Sequence, residues 1–185
     1  LTSYDGATGW YKSSDFWFND VFEKNFEKIK EECYDVLNKK LFVPHGQSEE
    51  NNTSKESKLA KKWDSFDFRV GDSWTDVEHL APFTYNLLRS IRELNLQKRG
   101  KIYFSMIQSN SEVIPHTSDL PVGTRSRHQL CIEGPEYDPE LLYMDVLGTK
   151  RGWQVGKVFS FDDAYTHSVV NKTDKRRIVL IYDSI

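Results

Sequence analysis

The spacing of apolar positions changes character near residue 100. Before that point apolar residues recur every three or four positions. Phe18, Val21, Phe22, Phe26, Ile29, Val36 and Leu37 form one stripe, and Ser14 and Asp15 ahead of it are good N-cap residues. The pattern predicts one helix from about Ser14 to Lys40, with Glu23, Lys24, Lys28, Lys30 and Glu31 mostly on its solvated face. A second helix is predicted after Pro82, a residue suited to a first turn. Phe83, Leu87, Leu88, Ile91 and Leu94 give it an apolar side, and it should end before Gly100. Between the two, Trp63 to Val70 reads as a strand. Residues 45–62 carry no periodic apolar signal and predict a mobile surface loop, with His45 exposed in it. His79 stands without a partner motif and is expected to be structural.

From Lys101 the pattern turns to strands. They are predicted over 101–109, 112–116, 126–133, 140–147, 156–161, 167–171 and 176–183, with turn signals such as Leu120-Pro121-Val122-Gly123, Gly134-Pro135 and Gly148 between them. Seven or eight short strands close naturally as a jelly roll. The expected fold class is therefore mainly β (α+β), with flanking N-terminal helices. The expected organisation is one domain over residues 1–185: a helical and mixed supporting region over 1–100 and a β core over 101–185.

Composition narrows the function classes. The chain has 185 residues and only 38% hydrophobic content, but eleven Phe, nine Tyr and five Trp can still bury a sizeable core. A net charge of −3 and a pI near 6.0 give no reason to expect nucleic acid or an anionic membrane as partner. No apolar run approaches the roughly 18–20 residues that span a bilayer. No leader is visible and the first residue is Leu1, which reads as an excised domain, expected to be monomeric. Cys33 and Cys131 are expected as reduced thiols in or near the core, a disulfide being the alternative. Sequons at Asn51, Asn52 and Asn171 would fit a secretory compartment.

The candidate chemistry sits in the C-terminal half. His116 ends a short strand after Pro115, and His167 opens another after the Asp162-Asp163 turn. Two imidazoles can hold a borderline divalent metal such as Fe(II). A carboxylate from the Asp-Asp turn could orient a ligating imidazole or a metal-bound water, or the turn could simply be solvated. Arg177 shares a strand face with Val179 and Ile181, and an arginine in so apolar a run needs an acceptor. Parity alone leaves Arg176 and Arg177 as alternatives for that role. Arg125, Arg127 and Gln129 share one face of another strand, either as a surface ladder or as part of the site.

Ser105, Pro115-His116-Thr117, Arg127, Gly156-Lys157-Val158, Phe161-Asp162-Asp163, His167 and Arg177 together resemble the aspartyl/asparaginyl β-hydroxylase family, over Lys101 to Asp183. The N-terminal part is similar in outline, through Asn25-Phe26-Glu27-Lys28-Ile29, Trp63 and Ala81-Pro82. The resemblance implies a double-stranded β-helix oxygenase that uses Fe(II), O2 and 2-oxoglutarate and releases succinate and CO2. By position, His116 and His167 would be the metal ligands. Arg177 and Ser105 would hold the distal carboxylate of 2-oxoglutarate, Arg127 the carboxylate beside the keto group, and Asp163 would be an acid near a metal-bound water. Ser118 occupies the position, two residues after the first histidine, where many iron oxygenases carry an acid, and Asp119 lies one further on. Gln129 stands where mammalian-type members tend to have histidine, which puts its part in co-substrate binding in doubt. The implied substrate is Asp or Asn in a peptide or protein. A free amino acid or a lipid acyl chain is the alternative, and a non-catalytic binding domain the second. A membrane-anchored eukaryotic parent would place the domain in the endoplasmic reticulum lumen; otherwise it would be cytoplasmic.

Overall fold

A computed structural model describes residues 2–45, 63–135 and 138–185. In chain order the strands are β1 (Trp10–Tyr11), β2 (Val43–Pro44), β3 (Trp63–Val70), β4 (Ser73–Trp74), β5 (Lys101–Ile107), β6 (Ser111–His116), β7 (Ser126–Glu133), β8 (Leu142–Val146), β9 (Thr149–Arg151), β10 (Val158–Asp162), β11 (His167–Asn171) and β12 (Arg177–Ser184). The helices are α1 (Trp17–Lys24), α2 (Phe26–Asn38), α3 (Pro82–Ser90) and α4 (Arg92–Leu96).

The strands form two antiparallel sheets. The major sheet runs β1-β10-β7-β12-β5-β3-β2, with β4 paired to β3, and the minor sheet runs β6-β11-β8-β9. Together they make the expected double-stranded β-helix. The period-2 alternation along the major sheet sorts its residues into two cores. One face presents Tyr103, Cys131, Phe161, Val179 and Ile181 to Val113, Met144, Val146 and Val169 of the minor sheet. The other presents Phe66, Phe68, Phe104, Leu130, Ile178, Leu180 and Tyr182 to the helices, through Phe18, Phe22, Ile29, Val36, Leu88 and Leu94. The helices thus brace the back of the sheet and leave its front for the site. Cys33 and Cys131 lie in these opposite cores, and no disulfide joins them.

The long helix predicted over 14–40 is broken. Ser13–Asp15 is a separate 3-10 turn, and α1 and α2 meet at Asn25. Asn25 Nδ2 donates to Val21 O at 2.8 Å, so the side chain competes with the backbone for the last carbonyls of α1. The second predicted helix also divides, at Ile91, whose extended backbone turns its side chain into the core at 3% exposure. The start of α3 is capped from another helix: both oxygens of Glu32 accept from Phe83 N and Thr84 N at 2.8 Å. Short strands β1, β2, β4 and β9 carry too few residues to show a period and were not predicted.

Of the mobile loop predicted over 45–62, residues 46–62 lie outside the described residues, as do the sequons at Asn51 and Asn52. His45 is not exposed as expected. It is buried, and its ring stacks on Trp63 at 3.8 Å between centroids and on Tyr103 at 5.0 Å. His79, expected to be structural, is exposed. Asn171 is buried, and its amide donates to Gln108 O and Lys175 O, so this sequon is closed to a glycan. Among the described residues no helix is long and apolar enough to cross a membrane.

Candidate active site

The two histidines come together because their strands do. His116 at the end of β6 is in register with His167 at the start of β11, and their ring centroids are 4.3 Å apart. Each ring is aimed by its own backbone. His116 Nδ1 lies 2.8 Å from Ile114 O and His167 Nδ1 2.8 Å from Tyr165 O. A carbonyl only accepts, so each Nδ1 carries the proton and each Nε2 carries the lone pair. Burial, and then the neighbouring His116, push the His167 pKa down to about 4, so this imidazole is neutral at physiological pH. Among the described residues no cluster of three or more His, Cys, Asp or Glu is placed to hold a metal. Asp119 is exposed.

Both rings line a half-open pocket of about 340 Å³, a volume that includes open solvent at its mouth. Its polar wall holds Ser105, Arg127, Gln129 and Arg177; Ile107, Val113, Met144, Phe161, Val169 and Ile181 make it mostly apolar. Arg177 settles the parity question against Arg176. It is 1% exposed and faces the cavity, whereas Arg176 is paired with Glu133 at 2.6 Å. Arg177 Nη2 donates to Ser105 Oγ at 3.2 Å, and the guanidinium lies over the Trp153 ring at 4.6 Å. Among the described residues its Nε and Nη1 are buried with no hydrogen-bond partner. Burial lowers its pKa to about 10, which leaves it charged at neutral pH. Ser105 Oγ also accepts from Trp63 Nε1 at 2.8 Å. Trp63 and Arg177 are both donors only, so the two lone pairs of Ser105 are taken and its own hydrogen must be donated. Two guanidinium nitrogens and one hydroxyl thus converge without an acceptor, which fits a carboxylate.

Arg127 and Asp163 are placed differently from that clamp. Arg127 lines the cavity, but Asp183 holds it through Nε at 2.8 Å and Nη2 at 3.0 Å, because the two residues are in register on β7 and β12. Asp163 does not line the cavity. Arg125 grips its carboxylate, and Arg127 Nη2 is 3.5 Å away. Burial alone would raise the Asp163 pKa; Arg127 and Arg125 more than reverse this, so it stays ionised. Burial would lower the pKa of Arg127, but Asp183 and Asp163 hold it well above the usual value. Gln129 faces the cavity, and its Oε1 accepts from Trp153 Nε1 at 2.9 Å.

Sequence reasoning missed four contributors. Asp183 could have been found by parity, since it shares the inward face of β12 with Arg177. Trp63 was given no part in the site, and Trp153 and the stacked His45 give no local signal. Gly100 supports the same ion pairs. Its φ is +91°, and a Cβ there would collide with the Asp183 carboxylate and the Arg125 guanidinium, neither of which can yield. Gly100→Ala is expected to destabilise the protein by about 2 kcal/mol or more, lowering the midpoint of thermal unfolding by roughly 4–8 °C. A calorimetric scan showing an unchanged midpoint would contradict this packing.

Comparison with known proteins identifies the family and the fold. A family model described as aspartyl/asparaginyl beta-hydroxylase matches residues 23–185. The aspartyl/asparaginyl beta-hydroxylase of Mus musculus is 28% identical over 166 residues, which is 87% of this chain and 20% of the mouse protein. The ornithine lipid ester-linked acyl 2-hydroxylase of Rhizobium tropici is 27% identical over 177 residues, 95% of this chain and 59% of that protein. The chain spans about a fifth of the length of the mammalian relatives it matches. Among solved structures, a Pseudomonas putida prolyl-4-hydroxylase shares the fold with a TM-score of 0.54 at 13% identity, over 97% of this chain and 94% of that one.

Proposed function

Because the chain belongs to the aspartyl/asparaginyl β-hydroxylase family, we propose that its cavity binds Fe(II) and 2-oxoglutarate and hydroxylates Asp or Asn residues of a peptide or protein. The observation that carries the reading is Arg177, a buried charge with two unpartnered nitrogens in the same cavity as two Nε2-directed histidines. A buried guanidinium without an acid is costly, and a dicarboxylate co-substrate supplies the acid. When bound, Fe(II) with 2-oxoglutarate and O2 supplies the oxidising chemistry, converting the co-substrate to succinate and CO2 and placing one oxygen atom in a substrate C–H bond.

The chain's own residues bind, orient and exclude water. His116 and His167 hold the metal as neutral ligands. Arg177 and the forced Ser105 hydroxyl grip the distal carboxylate, and Trp63 keeps that hydroxyl turned. Arg127 presents positive charge to the carboxylate beside the keto group, its orientation set by Asp183. Asp163 acts from behind Arg127 as its second counter-ion. Ile107, Val113, Val169 and Ile181 keep the rest of the cavity dry, which strengthens each of these contacts. Residues 1–185 serve as one such domain, with the helices bracing the sheet.

The lipid acyl chain remains the second reading, because the Rhizobium relative is as similar to this chain as the mammalian ones are. The deciding experiment supplies Fe(II), 2-oxoglutarate and either Asp/Asn-containing peptides or acyl lipids, and follows succinate together with a product heavier by one oxygen. Peptide hydroxylation is expected. Hydroxylation of lipid or of a free amino acid alone would overturn the substrate, and no co-substrate turnover with any of them would favour a binding domain.

A further inference from the structure

We infer that Trp153 is a positioning residue for the co-substrate: from behind the pocket wall its indole holds two pocket donors, the Gln129 amide and the Arg177 guanidinium, in their binding orientations. The inference rests on the co-substrate reading above and gives a part to two residues, Trp153 and Gln129, which that reading does not use. Trp153 lies in the connection between β9 of the minor sheet and β10 of the major sheet. It is nevertheless only 2% exposed and packs against Phe159 at 5.3 Å between centroids. The connection is pinned to β7, since Gly156 N donates to Cys131 O at 2.9 Å and Cys131 N donates to Lys157 O at 3.1 Å. The indole is therefore in place before any ligand arrives. Its Nε1 donates to Gln129 Oε1 at 2.9 Å, and its ring carries the Arg177 guanidinium at 4.6 Å. Gln129 and Arg177 line the pocket; Trp153 is not among its lining residues.

The chemistry of the two contacts sets the orientations. The ends of an amide have nearly the same shape, but one accepts and the other donates. An indole N–H only donates, so it must meet the Gln129 oxygen. Turning the amide over would set donor against donor. The Gln129 Nε2 is then the branch left for the pocket, and the amide offers a carboxylate its N–H groups. Without the indole N–H either end of the amide could face the pocket, and an oxygen there repels an anion. The guanidinium is steadied in a different way. Its attraction to the ring face holds its plane and uses none of its N–H groups, so Nε and Nη1 stay available to an acid. One side chain thus sets two donors that come from different strands, β7 and β12.

The test reads binding rather than turnover, by calorimetric titration of 2-oxoglutarate into Mn(II)-loaded protein. Trp153→Phe keeps a ring beside Arg177 but loses the N–H, and is expected to weaken binding about 3- to 10-fold, the loss of one hydrogen bond. Trp153→Leu loses the ring as well and is expected to bind about threefold more weakly again. Gln129→Met, of similar length and without a donor, is expected to match Trp153→Phe. The double variant Trp153→Phe/Gln129→Met should be within about twofold of Gln129→Met, because both changes act through one amide. A tryptophan that only fills the core would lower the unfolding temperature of Trp153→Phe and leave its 2-oxoglutarate affinity unchanged, and that result would overturn the inference. So would a double variant whose loss is the product of the two single losses. Gln129→Met leaves the indole in place, so unchanged affinity in that variant overturns the inference even if the Trp153 variants do not fold. Absence of 2-oxoglutarate binding by the wild-type Mn(II) protein would instead refute the co-substrate reading, and this inference with it.

Discussion

Alanine in place of either His116 or His167 is expected to abolish 2-oxoglutarate turnover, reducing succinate formation to the level of metal-free protein. The expectation follows from how few ligands the site has. A centre with two histidines and a carboxylate can lose one ligand and keep a chelate. Here the described residues offer no third His, Cys, Asp or Glu, so one substitution leaves a single imidazole. The two rings are also pre-aimed, each through Nδ1 to a carbonyl two residues back, so little entropy is spent in presenting both Nε2 atoms. The substitutions should leave the fold intact. The His116 ring is only partly buried, and β6 and β11 remain joined through Val113 and Val169. The measurement is paired: Mn(II) titration followed by electron paramagnetic resonance, and succinate yield at saturating co-substrate. Succinate production at the wild-type rate by the double variant would remove the metal assignment.

The legibility of this site in the sequence was uneven, for physical reasons. The apolar pattern located β5, β7, β10 and β12 to within a few residues, because both faces of the major sheet are buried and the apolar signal is dense; β11 in the minor sheet was located by its alternation. The jelly roll and the two histidines followed from that spacing and from the resemblance. The helices were harder to read. A continuous apolar stripe does not reveal that Asn25 will take a carbonyl from the turn before it, or that Ile91 will leave the helix to enter the core. His45 was read from its polar neighbours, whereas its burial depends on Trp63, eighteen positions away. The arginines divide in the same manner. Parity along β12 placed Arg177 on an inward face but gave Arg176 equal standing, until Glu133 on β7 accounted for the latter. Asp163 was expected, by the resemblance, as an acid near a metal-bound water; the structure shows its carboxylate held by Arg125 and Arg127, contacts set by the pairing of β7 with β10 and beyond the reach of local pattern.

Replacing Arg177 by methionine is expected to raise the KM for 2-oxoglutarate by about 100-fold or more while leaving kcat at saturating co-substrate within a few-fold of wild type. Two unpartnered nitrogens, each forming a charge-assisted bond to one carboxylate, are together worth about 3 kcal/mol or more, and each 1.4 kcal/mol is a factor of ten. The loss falls on KM because the distal carboxylate is remote from the reacting carbon and is held equally before and during reaction. A structural arginine would behave in the opposite sense. Breaking a buried ion pair destabilises by leaving the partner charge uncompensated, but Arg177 has only the neutral Ser105 hydroxyl and the Trp153 face as neighbours among the contacts described. Its removal relieves an unpaired buried charge and fills the space with an apolar chain of similar length. The co-substrate-free variant should therefore unfold at the wild-type temperature or higher, while stabilisation by added 2-oxoglutarate with Mn(II) is lost at concentrations that stabilise the wild type. Thermal unfolding with and without co-substrate separates the cases: a large fall in the unfolding temperature of the free variant, or an unchanged co-substrate response, would mean that Arg177 is held by the fold and that the dicarboxylate binds elsewhere.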